Sequence, residues 1–163
     1  MTLVRLRAVA GWYARLPALV AWAISLLTLI GGLFLLSPLE RFASDRNARI
    51  FATTWPQHPW MISAAVLIFP IVETFVFQTL FRDGFARLTR VRWPWVIVSA
   101  LAFSASLHYK LGWFAMVASG WAGFIFSATY FGQRHRSFWR AFAITASLQF
   151  TFAAGGVALA IFG

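Results

Sequence analysis

The fold is decided by the stretch PALVAWAISLLTLIGGLFLL, residues 17–36, which contains no charged side chain. An α-helix needs about 20 predominantly apolar residues to cross the hydrocarbon core of a bilayer. Similar stretches occur at residues 60–81, 113–131 and 138–162, and a shorter one occupies residues 94–108. The sequence therefore predicts an all-α integral membrane helical bundle with about five transmembrane helices.

Composition leaves no room for a soluble domain of ordinary size. Hydrophobic residues make up 61% of the 163-residue chain and charged residues 11%, whereas soluble domains are about 25% charged. The first span ends at Ser37-Pro38-Leu39-Glu40, which offers no cleavage site, so we interpret it as an uncleaved span. We divide the chain into an N-terminal span plus polar loop, residues 1–59, and a transmembrane core, residues 60–163.

The arginines predict the orientation in the membrane. Residues 1–16, 82–93 and 134–140 carry ten Arg, while residues 38–59 and Lys110 supply four basic side chains on the other side. Because cytoplasmic loops are rich in Lys and Arg, we expect a cytoplasmic N-terminus. The strong bias and compact design favour a bacterial inner membrane. The net charge of +10 is then explained by topology and anionic lipids, so we expect no nucleic-acid partner.

Glu73 is the only acidic residue inside any predicted span. A charged group in the bilayer costs several kcal/mol, so it usually faces the bundle interior and has a function. Thr74 and Gln78 are four residues apart and form one polar sector with Glu73. Pro70 precedes them and should distort the helix, which frees a backbone carbonyl at depth.

Two further groups of polar residues lie in later spans. His108 ends the third span, with Ser104 one turn earlier on the same face, and Thr145 and Gln149 are four apart on the fifth span. Gln149 follows Arg140 by nine residues, as Glu73 precedes Arg82 by nine, so both should lie at one depth. We therefore expect polar residues of three spans to converge.

Structural roles compete with functional ones for all of these residues. Glu73, Thr145 and Gln149 could simply hydrogen-bond neighbouring helices, as polar residues in membrane helices commonly do.

His108 lies about 24 Å from Arg92 on a straight helix, some 10 Å from the expected depth of Glu73. Either the segment 82–93 leaves the surface or the turn after His108 dips into the membrane. Ser119, Gly123 and Ser127 form a small-residue stripe that predicts close helix packing.

Several kinds of hydrolytic chemistry are excluded by the residue inventory. There is no cysteine and no His-Glu-x-x-His sequence. No serine lies in a nucleophile elbow, and Asp45 and Asp83 fall in loops on opposite sides of the membrane. A glutamate and a histidine remain: Glu73 as a general base acting on water and His108 as an oxyanion stabiliser or water-orienting group.

The order of these residues resembles a known family. The first motif is Pro70-Ile71-Val72-Glu73-Thr74-x-x-Phe77-Gln78, and an Arg-rich linker follows it. Next come Trp93-Pro94-Trp95, Ser99-x-x-x-Phe103-x-x-x-x-His108 and, later, Ser137-Phe138-Trp139-Arg140-Ala141. Over about residues 60 to 155 the pattern resembles the CPBP family of CAAX-type proteases and bacteriocin-processing proteins, which are multi-spanning intramembrane endopeptidases.

The resemblance implies residue roles. The family has a Glu-Glu-x-x-x-Arg motif, a Phe-x-x-x-His motif and a late His-x-x-x-Asn motif, so Glu73 matches the catalytic base and His108 the second motif. This chain departs from the pattern at four positions, which hold Thr74, Gln78, Thr145 and Gln149. The Phe103-to-His108 spacing is also one residue longer. With Thr145 in place of the late histidine, two plausible metal ligands remain where catalytic zinc usually has three, so we expect no cofactor.

Three functional hypotheses follow. The first is an intramembrane endopeptidase that hydrolyses a membrane-associated peptide with Glu73 and His108. The second is a non-catalytic relative that binds a membrane peptide or a partner protein in the same cavity. The third is a small proton-linked carrier or channel subunit with Glu73 as its proton site. The sequence gives neither the substrate nor the oligomeric state.

Overall fold

The computed structural model describes residues 11–42, 59–84, 93–108 and 112–162. Helices α1 (Ala18–Leu36), α3 (Trp93–His108), α4 (Trp113–Gln133) and α5 (Phe138–Phe162) are α-helical, and α2 covers residues 59–84. Residues 11–15 form a helical turn before α1, and Ser37–Phe42 form a 3₁₀ helix after it. The described residues contain no strand. The predicted all-α membrane bundle is thus confirmed, while most of the predicted polar loop and basic linker lies outside the described residues.

Among the described residues, four helices are long and apolar enough to cross a bilayer: Ala18–Leu39, Ala64–Gly84, Trp113–Gln133 and Phe138–Ala158. The apolar part of α3, Pro94–Ser106, is shorter, as the sequence predicted for the third span. Leu19, Leu27 and Phe34 of α1 are 70–81% exposed. Such large apolar side chains suit a surface that meets lipid rather than water.

The core lies where α4 packs against α1, α3 and α5. Phe103 of α3 stands edge-on to Phe77 of α2 at 5.5 Å and to Phe126 of α4 at 5.9 Å, measured between ring centroids. Edge-to-face aromatic pairs at this distance add to the stability gained from burial alone. Leu29 of α1 and Leu148 of α5 join the same cluster, so all five helices contribute to one core.

The small-residue stripe on α4 packs against α3 as predicted. A Cβ atom at Gly123 would lie 3.2 Å from the Ala100 backbone and 3.0 Å from the Phe103 ring. On either side of this contact, hydroxyl pairs link the two helices: Ser119 to Ser104 at 3.4 Å and Ser127 to Ser99 at 2.9 Å. Small residues let the helix backbones approach, and the hydroxyls then hydrogen-bond across the contact.

The segment before α1 is held by residues 133–140, where α4 ends and α5 begins. Four hydrogen bonds reach the last main-chain carbonyls before Pro17: Gln133 Nε2 to Tyr13 O at 3.0 Å, Arg136 to Ala14 O at 2.7 Å and to Arg15 O at 2.5 Å, and Arg140 to Leu16 O at 2.5 Å. Carbonyls at a helix end lack intrahelical partners, and cationic donors satisfy them well. The N-terminal segment and the 134–140 segment therefore share one end of the bundle.

Helix α2 alternates between two helical geometries. α-Helical Pro59–Ser63 and Phe69–Glu73 alternate with π-helical Ala64–Ile68 and Thr74–Gly84. Pro70 is buried near the start of the second α segment, and the distortion predicted at this proline takes the form of wider turns on both sides. Proline has no N–H to offer, so the turn around it must depart from regular α geometry.

Candidate active site

Glu73 lies at the point where α2 changes from α to π geometry. π-Helical turns are rare and often occur at functional sites. The Glu73 side chain is half-buried, and no described residue forms a hydrogen bond or ion pair with its carboxylate. The carboxylate is therefore available to a water molecule or a substrate.

The two polar residues that follow Glu73 on α2 meet the fifth span. Thr74 Oγ1 donates a 2.9 Å hydrogen bond to Gln149 Oε1, and both residues are almost fully buried. Gln149 Nε2 lies 3.4 Å from Gln78 Oε1. The convergence of α2 and α5 polar residues at one depth, which the sequence predicted, is confirmed by these contacts.

The Gln78 amide also touches the backbone of its own helix. When its nitrogen faces inward, it donates to the main-chain carbonyls of Glu73 at 2.8 Å and Thr74 at 3.2 Å. These bonds are shorter than the contact with Gln149, so we favour this orientation. The side chain then donates to two carbonyls at the junction where the helix geometry changes.

Ser99 of α3 satisfies a further carbonyl of α2. Its Oγ donates to the Phe77 carbonyl and pairs with Ser127 Oγ at 2.9 Å, and its side chain is buried. Ser99 is part of the sequence pattern that resembles the family, but no role was predicted for it. Its position four residues before Phe103, at helical spacing, was the available signal.

Thr145 is fully buried on α5, and its Oγ1 has no hydrogen-bond partner among the described residues. Thr145 precedes Gln149 by four residues on α5, so it lies about 6 Å further toward the end of the helix that holds Arg140. A buried hydroxyl without a partner costs free energy. This is the position that the family resemblance assigns to a histidine.

The sequence predicted that the third span would contribute Ser104 and His108 to the site, and the structure gives a different outcome for each. Ser104 of α3 donates to the Met116 carbonyl and accepts from Ser119, so it serves the α3–α4 contact rather than a site with Glu73. His108 is the last residue of α3, and its side chain lies outside the described residues. Its role in the site stays a prediction.

A charged cluster at the end of α2 was not anticipated. Asp83 pairs with Arg134 Nε at 3.0 Å and with Arg82, and it accepts from Tyr130 Oη at 3.4 Å. Burial lowers the pKa of Arg134, but the hydrogen bond and charge of Asp83 outweigh it and raise that pKa above its ordinary value. The sequence placed Asp83 and Arg134 in separate loops, and only packing brings them together.

The described residues do not fit a metal site. They contain no group of three His, Asp or Glu side chains that could bind a metal ion. The residues beside Glu73 are the neutral Thr74, Gln78 and Gln149: Thr74 is hydrogen-bonded to Gln149, and Gln78 donates to main-chain carbonyls of α2. Catalytic zinc usually has three protein ligands, so we derive no chemical step through a metal.

Comparison with known proteins gives a family. No curated protein and no solved structure matches this chain. Residues 54–160 match the family model described as "Type II CAAX prenyl endopeptidase Rce1-like". The matched region contains α2, α3, α4 and α5 as far as residue 160, with Glu73 and the Thr74–Gln149 contact. Because the match covers more than half of the chain, this membrane protein belongs to the Rce1-like family of CAAX-type endopeptidases.

Proposed function

We propose that this protein is an intramembrane endopeptidase of the CAAX type that hydrolyses a peptide bond with water activated by Glu73. One observation carries the proposal. Glu73 is a carboxylate inside a membrane-spanning helix, and its polar neighbours Thr74, Gln149 and Gln78 already have hydrogen-bond partners of their own. No described residue forms a hydrogen bond or ion pair with the Glu73 carboxylate. Such a group in the membrane is costly to keep unless it has a task.

The proposed reaction needs one base and one electrostatic partner. The Glu73 carboxylate accepts a proton from a water molecule, and the water oxygen adds to the carbonyl carbon of the substrate peptide. The C–N bond then breaks, and the proton held by Glu73 passes to the nitrogen, which leaves as an amine. His108, by its match to the family motif, would stabilise the oxyanion.

We further propose a multi-pass protein of the bacterial inner membrane with a cytoplasmic N-terminus. Its substrate would be a membrane-associated peptide or protein. The hydrogen bonds from Arg136 and Arg140 to the carbonyls of residues 14–16 support the orientation, since they bring two of the Arg-rich segments to one end of the bundle. Arg-rich segments on a common side are expected to be cytoplasmic.

A second candidate is a non-catalytic relative that binds a membrane peptide or partner protein. The neutral side chains of Thr74 and Gln78 favour it, because the family resemblance implies ionisable groups at these two positions. Thr74 is hydrogen-bonded to Gln149, and Gln78 donates to the main chain of α2. Neutral hydrogen bonds of this kind stabilise helix packing without any catalytic role.

Cleavage assays separate the two candidates. Wild type, Glu73→Gln and Glu40→Gln would be purified in lipid and incubated with a library of membrane-anchored peptides, with and without chelator. Glu40 lies beyond α1 in the 3₁₀ segment, so its variant is the control for removing one acid. We expect cleavage by wild type and Glu40→Gln and none by Glu73→Gln. Absence of cleavage by all three correctly folded proteins would favour the non-catalytic relative.

A further inference from the structure

Three carbonyls of α2 around its change of geometry accept hydrogen bonds from side chains. Gln78 Nε2 reaches the carbonyls of Glu73 and Thr74, and Ser99 Oγ reaches that of Phe77. In a π-helix each N–H bonds the fifth carbonyl before it, so a change from α to π geometry disturbs the regular pairing of these groups. Side-chain donors can compensate for this disturbance and hold the wider turn in place.

The same segment is tied to α5 by one short contact. Thr74 is the first residue of the π segment and directly follows Glu73, and its hydroxyl bonds Gln149 at 2.9 Å with both residues buried. A buried hydrogen bond fixes the rotation of α2 against α5 at this level. The direction of the Glu73 side chain follows from that rotation, because adjacent residues share one backbone.

We propose that Thr74, Gln149 and Gln78 are positioning residues that hold the Glu73 carboxylate in its half-buried orientation through the junction of α and π geometry. This inference rests on the proposed function for its catalytic meaning, but its structural content does not depend on activity. Gln149 and Gln78 sit at positions that the family resemblance assigns to motif residues. Here they act on the base through the backbone of α2 rather than on a substrate.

Carbodiimide labelling measures the position of Glu73 without any peptidase assay. Dicyclohexylcarbodiimide is soluble in lipid and converts a protonated carboxyl into a stable N-acylurea, which mass spectrometry locates in a peptide. Wild type, Thr74→Val and Thr74→Ser would be labelled in liposomes, with Glu73→Gln as the blank. Thr129→Val is the matched control, because Thr129 also is buried and uses its hydroxyl across helices, to Ser25 at 2.8 Å.

We expect Glu73 in Thr74→Val to be labelled about fivefold faster than in wild type, the population change that loss of one buried hydrogen bond produces. Thr74→Ser keeps the hydroxyl and should be labelled at the wild-type rate, as should Thr129→Val. Labelling of Glu73 that is unchanged or undetected in Thr74→Val would overturn the inference, and so would an equal increase in Thr129→Val. If the cleavage assay fails but Glu73 is labelled faster in Thr74→Val alone, as expected, only the proposed function is rejected.

Discussion

Thr74 donates a 2.9 Å hydrogen bond to Gln149, a residue 75 positions later in the chain. The bond joins α2 and α5 at the residue that directly follows Glu73. Two of the positions at which this chain departs from the family pattern thus hold a hydroxyl and an amide that form a direct pair. The two helices are thereby held together beside a carboxylate that keeps no described partner of its own.

Thr74 and Gln149 should be energetically coupled. In a double-mutant cycle with Thr74→Val and Gln149→Leu, we expect a coupling free energy of about 0.6 kcal/mol, the average for hydrogen bonds between membrane helices. Unfolding by sodium dodecyl sulfate in mixed micelles measures the four free energies of unfolding. Strictly additive effects would show that the contact contributes nothing.

Thr74→Val should also separate the kinetic constants of the proposed peptidase. Displacement of a catalytic group by about 1 Å can cost about 100-fold in rate, so we expect a lower kcat with an unchanged KM. Thr74→Ser should restore kcat. A change confined to KM would instead assign Thr74 to substrate binding.

Replacement of Gly123 should separate α3 from α4. The Cβ of Gly123→Ala would meet the Ala100 backbone at 3.2 Å, and overpacking of this kind costs about 1–3 kcal/mol. Gly120→Ala lies on the same helix but meets only Ser104 at 3.7 Å, so it should cost little. Equal free energies of unfolding for the two variants would contradict this account of the stripe.

Thr145→Val should leave stability unchanged or increase it. The Thr145 hydroxyl is buried without a partner among the described residues, so valine removes a desolvation cost of about 1 kcal/mol or more. Thr129→Val should be destabilising, because that hydroxyl pairs with Ser25. Strong destabilisation by Thr145→Val would indicate that the hydroxyl is satisfied, by a bound water for example.

Asp83→Asn should weaken the end of α2 by about 1 kcal/mol or less, since the side chains of Asp83 and Arg134 are about a quarter exposed and water screens their attraction. The change removes a negative charge between Arg82 and Arg134. Measurement of the free energy of unfolding at low and high salt checks this, because the difference between wild type and variant should shrink with salt. A difference that grows with salt would argue against the ion pair.

The helices and their order along the chain could be predicted from the sequence. Runs of about 20 apolar residues match the thickness of a bilayer, which is why the predicted start of α4 at Trp113 and the predicted bounds of α5 agree with the structure. The sequence also predicted that polar residues of α2 and α5 share a depth, because the rise per residue of a helix is nearly constant. The small-residue stripe on α4 could be predicted because a spacing of four residues places its members on one helical face.

Which of these groups come into contact depends on how the helices pack against each other. Ser104 pairs with α4 instead of joining Glu73, Ser99 bonds a carbonyl of α2, and Asp83 pairs with Arg134. Such contacts depend on the rotation and separation of packed helices, and no single helix encodes these quantities. The π-helical segment after Glu73 also depends on packing, because one of the side chains that donate to its carbonyls, Ser99, belongs to another helix.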